Sequence, residues 1–380
     1  MAASPGGAIN DLGGHSSHTQ VAVVTGATGQ DGFYLVRRLI GEGVAVHAIA
    51  RERGRRDDLR RLAPDDSLTI HELELTDGAG YRELVAGTQP DEFYNLAGQS
   101  SVAASFGDPT STWRTNADAV QSMLEAIRLD SPHTRFYQSS SIEMFGAEPG
   151  QTAIQDETSP LMPQSPYAAA KAAAHVVCDA YRRSFGLRVA AGILANHESR
   201  RRPSTFLTRK VVDHVRAVVE VGTAQGARQP LAVGNLAAQR DWGFAPDYVE
   251  GMVRILRQIE VRATTSGRPV EPDLGSNYRD YVLGSGRLHA VWELVDRAFA
   301  LAGLSLTWDR ADPDSANWSA VFDATGATAV VVDPQLMRPT DPAVIRADPS
   351  RAQRELGWTP RPGLDRFLRD MLGLDDGRVD

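Results

Sequence analysis

The stretch VAVVTGATGQDGFYLVRRLI, Val21 to Ile40, narrows the fold more than any other part of the chain. A short β-branched run ends in glycine. Gly26, Gly29 and Gly32 then follow at GxxGxxG spacing, and Leu35 and Leu39 repeat one helical turn apart. Small residues let backbone approach a pyrophosphate, and a helix N-terminus faces its negative charge. A strand, glycine turn and helix in this order predict a dinucleotide site.

The alternation continues. VAVHAIA, LTIHELEL, DEFYNLAG, RFYQSSS and LRVAAGILAN read as strands. STWRTNADAVQSMLEAIRL and SPYAAAKAAAHVVCDAYRRSFG read as helices between them. Near-continuous apolar strands alternating with helices imply a parallel sheet covered on both faces. The expected fold is α/β: a Rossmann-type doubly wound sheet over 20–195, after a flexible tail at 1–19. After Asn196 the rhythm breaks. Residues 196–380 are expected to form mainly a smaller α/β substrate lobe over the carboxyl ends of the sheet, where open α/β folds bind ligands. Some later segments would return to the first domain. The Gly/Pro-rich run near 264–280 reads as an exposed insertion, and the last residues as two short helices about a Pro turn.

Composition removes other classes. No apolar run approaches the roughly 20 residues of a membrane span. The net charge of −8 argues against general nucleic-acid binding. The single Cys178 forms no internal disulfide and fits a reducing cytoplasm. The nine histidines show no metal-site spacing.

Two features carry chemistry. Tyr167 and Lys171 of YAAAK stand four apart, on one face of a helix. A neighbouring ammonium is expected to lower the tyrosine pKa and make Tyr167 a base near neutral pH. Glu143 sits between Ile142 and Met144 at the end of YQSSS, an unusual place for an acid. Were the strand to continue, Ser141 and Glu143 would share a face. Arg51, where the second strand ends, favours NADP over NAD, since a 2′-phosphate prefers arginine and a free ribose hydroxyl an acid; adjacent Glu52 keeps NAD open. NHESRRRPSTFLTRK gathers five cations between Arg200 and Lys210, as a diphosphate requires.

TGQDG, YNLAGQSSV, YQSSSIEMFG, SPYAAAK, NHESRRRPSTFLTRK, GNLAAQRDWGFAPDYVEGM and MRPTD together resemble the GDP-mannose 4,6-dehydratases, extended short-chain dehydrogenase/reductases. The resemblance runs from about Val21 to the C-terminus, leaving out the Gly/Pro-rich insertion. It implies a soluble lyase that acts on a GDP-sugar, carries NADP, and assembles as a homodimer or homotetramer. It implies C4 oxidation, C5 deprotonation with water loss from C6, and hydride return to C6. The implied catalytic residues are Ser141, Glu143, Tyr167 and Lys171. Implied cofactor residues are Gly26, Thr28, Gly29, Gln30, Asp31, Gly32, Arg51, Glu74, Leu75, Leu96, Ala97, Gln99, Leu194, His197 and Arg202, with Tyr167 and Lys171. Implied substrate residues are Ser100, Asn196, Lys210, Arg240, Arg338 and Asp341, with Ser141 and Glu143. Trp242 reads as core. The alternative is an epimerase or dehydratase of a different NDP-sugar, including a longer-chain GDP-sugar.

This chain departs from the family pattern at several positions. Ser141 replaces threonine, Ile142 a serine, Phe145 a tyrosine and Ser101 a histidine. Glu74 stands for aspartate, Pro203 for glycine, Gln239 for lysine, Asp341 for glutamate and Ala343 for aspartate. The RERGRR region is shorter than the family loop that bridges subunits. The Tyr-Lys-Glu set is retained, so the departures bear on the substrate and the assembly.

Overall fold

The computed structural model describes residues 19–51, 53–63, 66–146, 154–223, 228–312, 314–337, 344–361 and 363–375. The tail up to residue 18, Glu52, Arg338, Asp341 and Ala343 lie outside these ranges.

Seven strands form one sheet. Their order is Tyr281–Leu283, Arg188–Leu194, Arg135–Ser141, Glu92–Asn95, Val21–Thr25, Ala45–Ile49 and Leu68–His71. Every neighbouring pair is parallel. This is the doubly wound arrangement, and its central strands are mostly buried because helices cover both faces. The first three strands step one way from Val21–Thr25. The fourth returns to its other side, so the strand order reverses between Val21–Thr25 and Glu92–Asn95. A crevice must open at the carboxyl ends of that pair.

Local chemistry sets the helix that borders this crevice. The helix Pro166–Phe185 starts where the Ser165 side chain accepts from Ala168 N, with Pro166 in the first turn. It stops at Gly186, whose φ of 68° suits glycine. Tyr167, Ala170, Lys171, Ala174 and Cys178 form its buried stripe.

Mostly past Asn196, with one strand from before it, the chain builds two smaller sheets. One joins Leu288–Ala290, Gln239–Phe244, Val344–Ala347 and Ile154–Gln155, with Asn196–Glu198 also pairing to Gln239–Phe244. The other orders Leu306–Asp309, Ser319–Phe322, Thr328–Val332 and Leu231–Val233. Helices Leu207–Val221, Val291–Leu301 and Leu364–Leu372 pack with them around a separate core that includes Trp242, Phe299 and Phe367.

Two local expectations change. The strand from Arg135 ends at Ser141, and Ile142–Phe145 is a 3-10 turn, so alternation along a strand does not relate Ser141 to Glu143. LTIHELEL is strand only over Leu68–His71. In the 264–280 run, Thr264 to Ser266 close the helix Gln258–Ser266, residues 267–272 are exposed, and Gly275 and Tyr278 are buried. No helix among the described residues is long and apolar enough to cross a membrane.

Candidate functional site

Three adjoining cavities open at the carboxyl ends of the main sheet. The first follows the glycine turn and is lined by Gly26, Thr28, Gly29, Gln30, Asp31, Gly32, Arg51, Leu75, Leu96, Ala97 and Ser100. The central one is lined by Gln99, Ser100, Ser141, Glu143, Tyr167, Lys171, Leu194, Asn196 and His197. The third reaches into the second lobe past Asn196, Lys210, Arg240 and Trp242. Arg202 and Phe206 border all three. The guanidinium stacks 3.6 Å above the Phe206 ring, and its Nε lies 3.0 Å from the buried Glu198 carboxylate.

The glycine turn is built for close approach. Gly26 has φ of 67°, and a Cβ there would stand 3.0 Å from the backbone of Ala97, just past the strand across the switch point. A Cβ on Gly32 would fall 2.2 Å from Gly26 O, so this glycine lets the helix start against its own turn. The helix Gln30–Gly41 has no side-chain cap, which leaves first-turn N–H groups for a ligand. Such a cradle fits a dinucleotide pyrophosphate.

Beneath the crevice a polar bridge ties three neighbouring strands. Thr25 Oγ1 donates to Asn95 Oδ1 at 2.7 Å and accepts from Leu96 N and Ala97 N, both at 3.1 Å. Asn95 Nδ2 donates to Gln138 Oε1 at 2.9 Å, and Gln138 Nε2 to Ser139 O at 3.0 Å. Ser139 O also accepts from Lys171 Nζ at 2.8 Å. Asn116, in the π-helical turn Arg114–Asp118, bonds both backbone groups of Gln99 at 2.8 Å. Sequence reading missed Thr25, Asn95, Gln138 and Asn116. Only a π-turn beside a site, invisible in the sequence, distinguishes Asn116.

The Tyr-Lys pair is present, but its electrostatics differ from expectation. Burial pushes Tyr167 up to about 12, helped by Glu143 and opposed by the Ser141 hydrogen bond and by Arg202. Burial likewise brings Lys171 down to about 8. The Lys171 ammonium sits 6.0 Å from the ring centroid and is held by Ser139 O. Desolvation of the phenolate outweighs any help from lysine.

Glu143 lines the central cavity, half-buried, despite the 3-10 turn. Ile142 does not: it is 2% exposed and packs in the main hydrophobic core with Met144 and Phe145. The turn therefore sends the odd apolar residue inward and the acid outward.

Several expected contacts are taken by the protein itself. Gln30 Nε2 donates to His197 O at 2.9 Å, and Ser199 donates to Gln30 Oε1 at 3.0 Å, so Gln30 has mainly backbone to offer. Asp31 Oδ2 lies 2.9 Å from His197 Nε2. Burial opposes both charges, but their attraction outweighs it: Asp31 falls below the usual carboxylate range and His197 rises. Of the five cations near NHES, Arg202 and Lys210 face the cavities. Arg200 is bound by the buried Asp370 at 2.6 Å, Arg201 by Asp58 at 2.9 Å, and Arg209 by Asp213 at 2.7 Å. Glu74 points to the surface and pairs with Arg51 at 3.2 Å; Leu73 and Leu75 line the cavity instead. Arg55, Thr205, Phe206 and Leu207 line cavities without having been expected there. Trp242 is core, with part of its surface on the third cavity.

Comparison with known proteins agrees with this architecture. The family model for GDP-mannose 4,6 dehydratase matches residues 23–371. The chain is 38% identical over 367 residues to the GDP-mannose 4,6-dehydratase of Sinorhizobium fredii, covering 94% of this chain and 96% of that protein. It is 36% identical to GDP-mannose 4,6 dehydratase 2 of Arabidopsis thaliana, covering 94% and 87%. Among solved structures, the Thermus thermophilus UDP-glucose 4-epimerase in complex with NAD superimposes with a TM-score of 0.71 at 21% identity, over 95% of this chain and 100% of that one. A dTDP-glucose 4,6-dehydratase of Streptomyces venezuelae, with NAD bound, gives 0.68 at 22%, over 92% and 96%. With a doubly wound sheet, a glycine cradle at its switch point, and Tyr167, Lys171 and Glu143 around one cleft, the chain belongs to the GDP-mannose 4,6-dehydratase family.

Proposed function

We propose that the protein is an NADP-dependent dehydratase converting GDP-mannose to its 4-keto-6-deoxy derivative. One observation carries the reading: Glu143 and Tyr167 line the same cleft, between the glycine cradle and the Lys210–Arg240 cavity. An epimerase has no need of that carboxylate. Arg51 and Arg55 at the rim of the cradle favour a 2′-phosphate, hence NADP over NAD. When bound, the nicotinamide supplies a two-electron acceptor that takes the C4 hydrogen and returns it to C6.

The residues of the chain do the rest. Tyr167 takes the proton of the sugar 4-hydroxyl, and Ser141, which lines the cleft with Tyr167, orients that hydroxyl. The 4-ketone acidifies C5–H. Glu143 removes that proton and delivers it to the departing 6-hydroxyl, which leaves as water. Lys171, fixed by Ser139 O, holds the polar end of the cofactor and exchanges a proton with Tyr167. Lys210 and Arg240 offset the diphosphate charge. Arg338 and Asp341 are proposed to complete the substrate site. A homodimer or homotetramer suits the exposed Trp113, Val176 and Phe185 on the helices flanking the sheet.

A longer-chain GDP-sugar is the second reading, because Ser101 lines the central cavity where the family pattern has the larger histidine. Incubation with GDP-mannose and catalytic NADP tests the main reading: it requires a product lighter by one water and no net NADPH.

A further inference from the structure

A helix lying on a parallel sheet usually buries an apolar seam. Here the seam of Pro166–Phe185 is polar along one line. Tyr167, Lys171 and His175 follow at four-residue steps, so they stack along one face. Opposite them stand Ser139 and Ser140, and then Asp280 at the sheet edge. His175 Nδ1 lies 3.4 Å from Ser140 Oγ. His175 Nε2 lies 3.8 Å from Asp280 Oδ2. Arg182 grips Asp280 with two bonds of 2.9 and 2.8 Å. Ser140 is 2% exposed and lines the central cleft beside Lys171. The His175 and Asp280 side chains retain 16% and 15% exposure. The line therefore begins at the cleft and ends at solvent behind the helix, and no step proposed above uses His175.

We infer that Ser140 and His175 carry a proton between the Tyr167–Lys171 pair and solvent. This rests on Tyr167 being the base. Proton balance creates the need. In each turnover Tyr167 keeps the 4-hydroxyl proton, while the C5 proton departs in the water. C5 must be reprotonated, and Glu143 can draw that proton from the open side of the cleft. Tyr167 is then left with one proton too many. The Lys171 ammonium takes the phenol proton as it gives one of its own, through water in the cleft that both line, to Ser140 Oγ, and Ser140 passes its own to His175 Nδ1. His175 releases its Nε2 proton to water beside Asp280. One proton moves outward, and no other bond changes.

The charges acting on the ring are Asp280 from the sheet edge and Arg182 and Asp179 from its own helix. Lys171 and Cys178 lie about one turn away. Burial lowers the His175 pKa, opposed by Asp280, so the ring is neutral and free to accept at neutral pH. His175 acts through Ser140 and Lys171, which makes it a positioning residue.

The test uses full-length enzyme with NADP and GDP-mannose. His175→Gln keeps a polar partner for Ser140 but cannot titrate; His175→Asn replaces it if the Tm falls. The expected result is a kcat lower by about 10-fold, less than the roughly 10²–10⁴ that a group acting directly on the substrate supplies. KM and Tm stay near wild type, kcat recovers as the pH is raised, and added imidazole restores it. A wild-type kcat and pH profile in His175→Gln would overturn the relay. So would a loss that ignores pH and imidazole. Tyr167→Phe separates the two ideas. If it is dead while His175→Gln behaves as wild type, the relay alone fails; if it turns over, base and relay fail together.

Discussion

Replacing Thr25 by valine keeps side-chain volume and β-branching and removes one hydroxyl. That hydroxyl is the hub of the switch point. It donates to Asn95 Oδ1 at 2.7 Å and accepts from Leu96 N and Ala97 N. Thr25 is 0% and Asn95 2% exposed, so Asn95 Oδ1 would lose a partner with no water to replace it. A buried polar atom left unsatisfied costs about 1–3 kcal/mol. Leu96 and Ala97 are only half-buried, so their N–H groups can recruit water at a smaller cost. The total comes to about 2–4 kcal/mol. Thr25→Ser keeps the hub and loses one methyl, costing about 1 kcal/mol. The assay is urea unfolding followed by tryptophan fluorescence, with NADP affinity measured in parallel, because Leu96 and Ala97 line the cofactor cradle. Valine should lower both stability and affinity, and serine should largely spare them. Thr25→Val within about 0.5 kcal/mol of wild type would refute the bridge as a load on the fold.

Other outcomes follow from the site. Glu143→Gln should cut water loss by roughly 10²-fold or more while GDP-mannose still binds, as read by mass spectrometry and calorimetry. Lys171→Met should abolish turnover yet raise the Tm at neutral pH, because a buried ammonium is unfavourable. Its folded pKa of about 8 lies below the unfolded value. Between those values the unfolded chain binds the extra proton, so wild-type stability should rise with pH there; Lys171→Met should lose that slope. His197 should titrate by NMR above a free histidine, and Asp31→Asn should bring it down. The Asp31–His197 pair stabilises the fold between its two pKa values. Its contribution should fade as pH drops through the depressed Asp31 pKa, and again as pH rises through the raised His197 pKa.

Much of this was legible in the sequence, for identifiable reasons. Glycines with a fixed local purpose, such as Gly26 and Gly32, show in spacing alone. Tyr167 and Lys171 are four apart on one helix, so their proximity is local too. Glu143 lines the cleft, but a 3-10 turn, not a continued strand, brings it there. That turn also buries Ile142, one of the departures from the family pattern, in the core rather than at the cleft. The electrostatics of Tyr167 were misjudged because desolvation depends on tertiary burial, which four-residue spacing does not report. For the same reason the Arg200–Lys210 cluster seemed wholly available to a diphosphate. Asp58, Asp213 and Asp370, all distant or unremarkable in sequence, engage three of its members. Thr25, Asn95 and Gln138 meet only because parallel pairing sets their strands side by side.

The central claim is that one cleft oxidises C4 and expels the C6 hydroxyl without consuming cofactor. Purified enzyme, GDP-mannose and a small amount of NADP suffice to test it by mass spectrometry of the nucleotide sugar. The account predicts many turnovers to a product lighter by one water, with no net NADPH. A product of unchanged mass, or turnover limited to the NADP supplied, would contradict it.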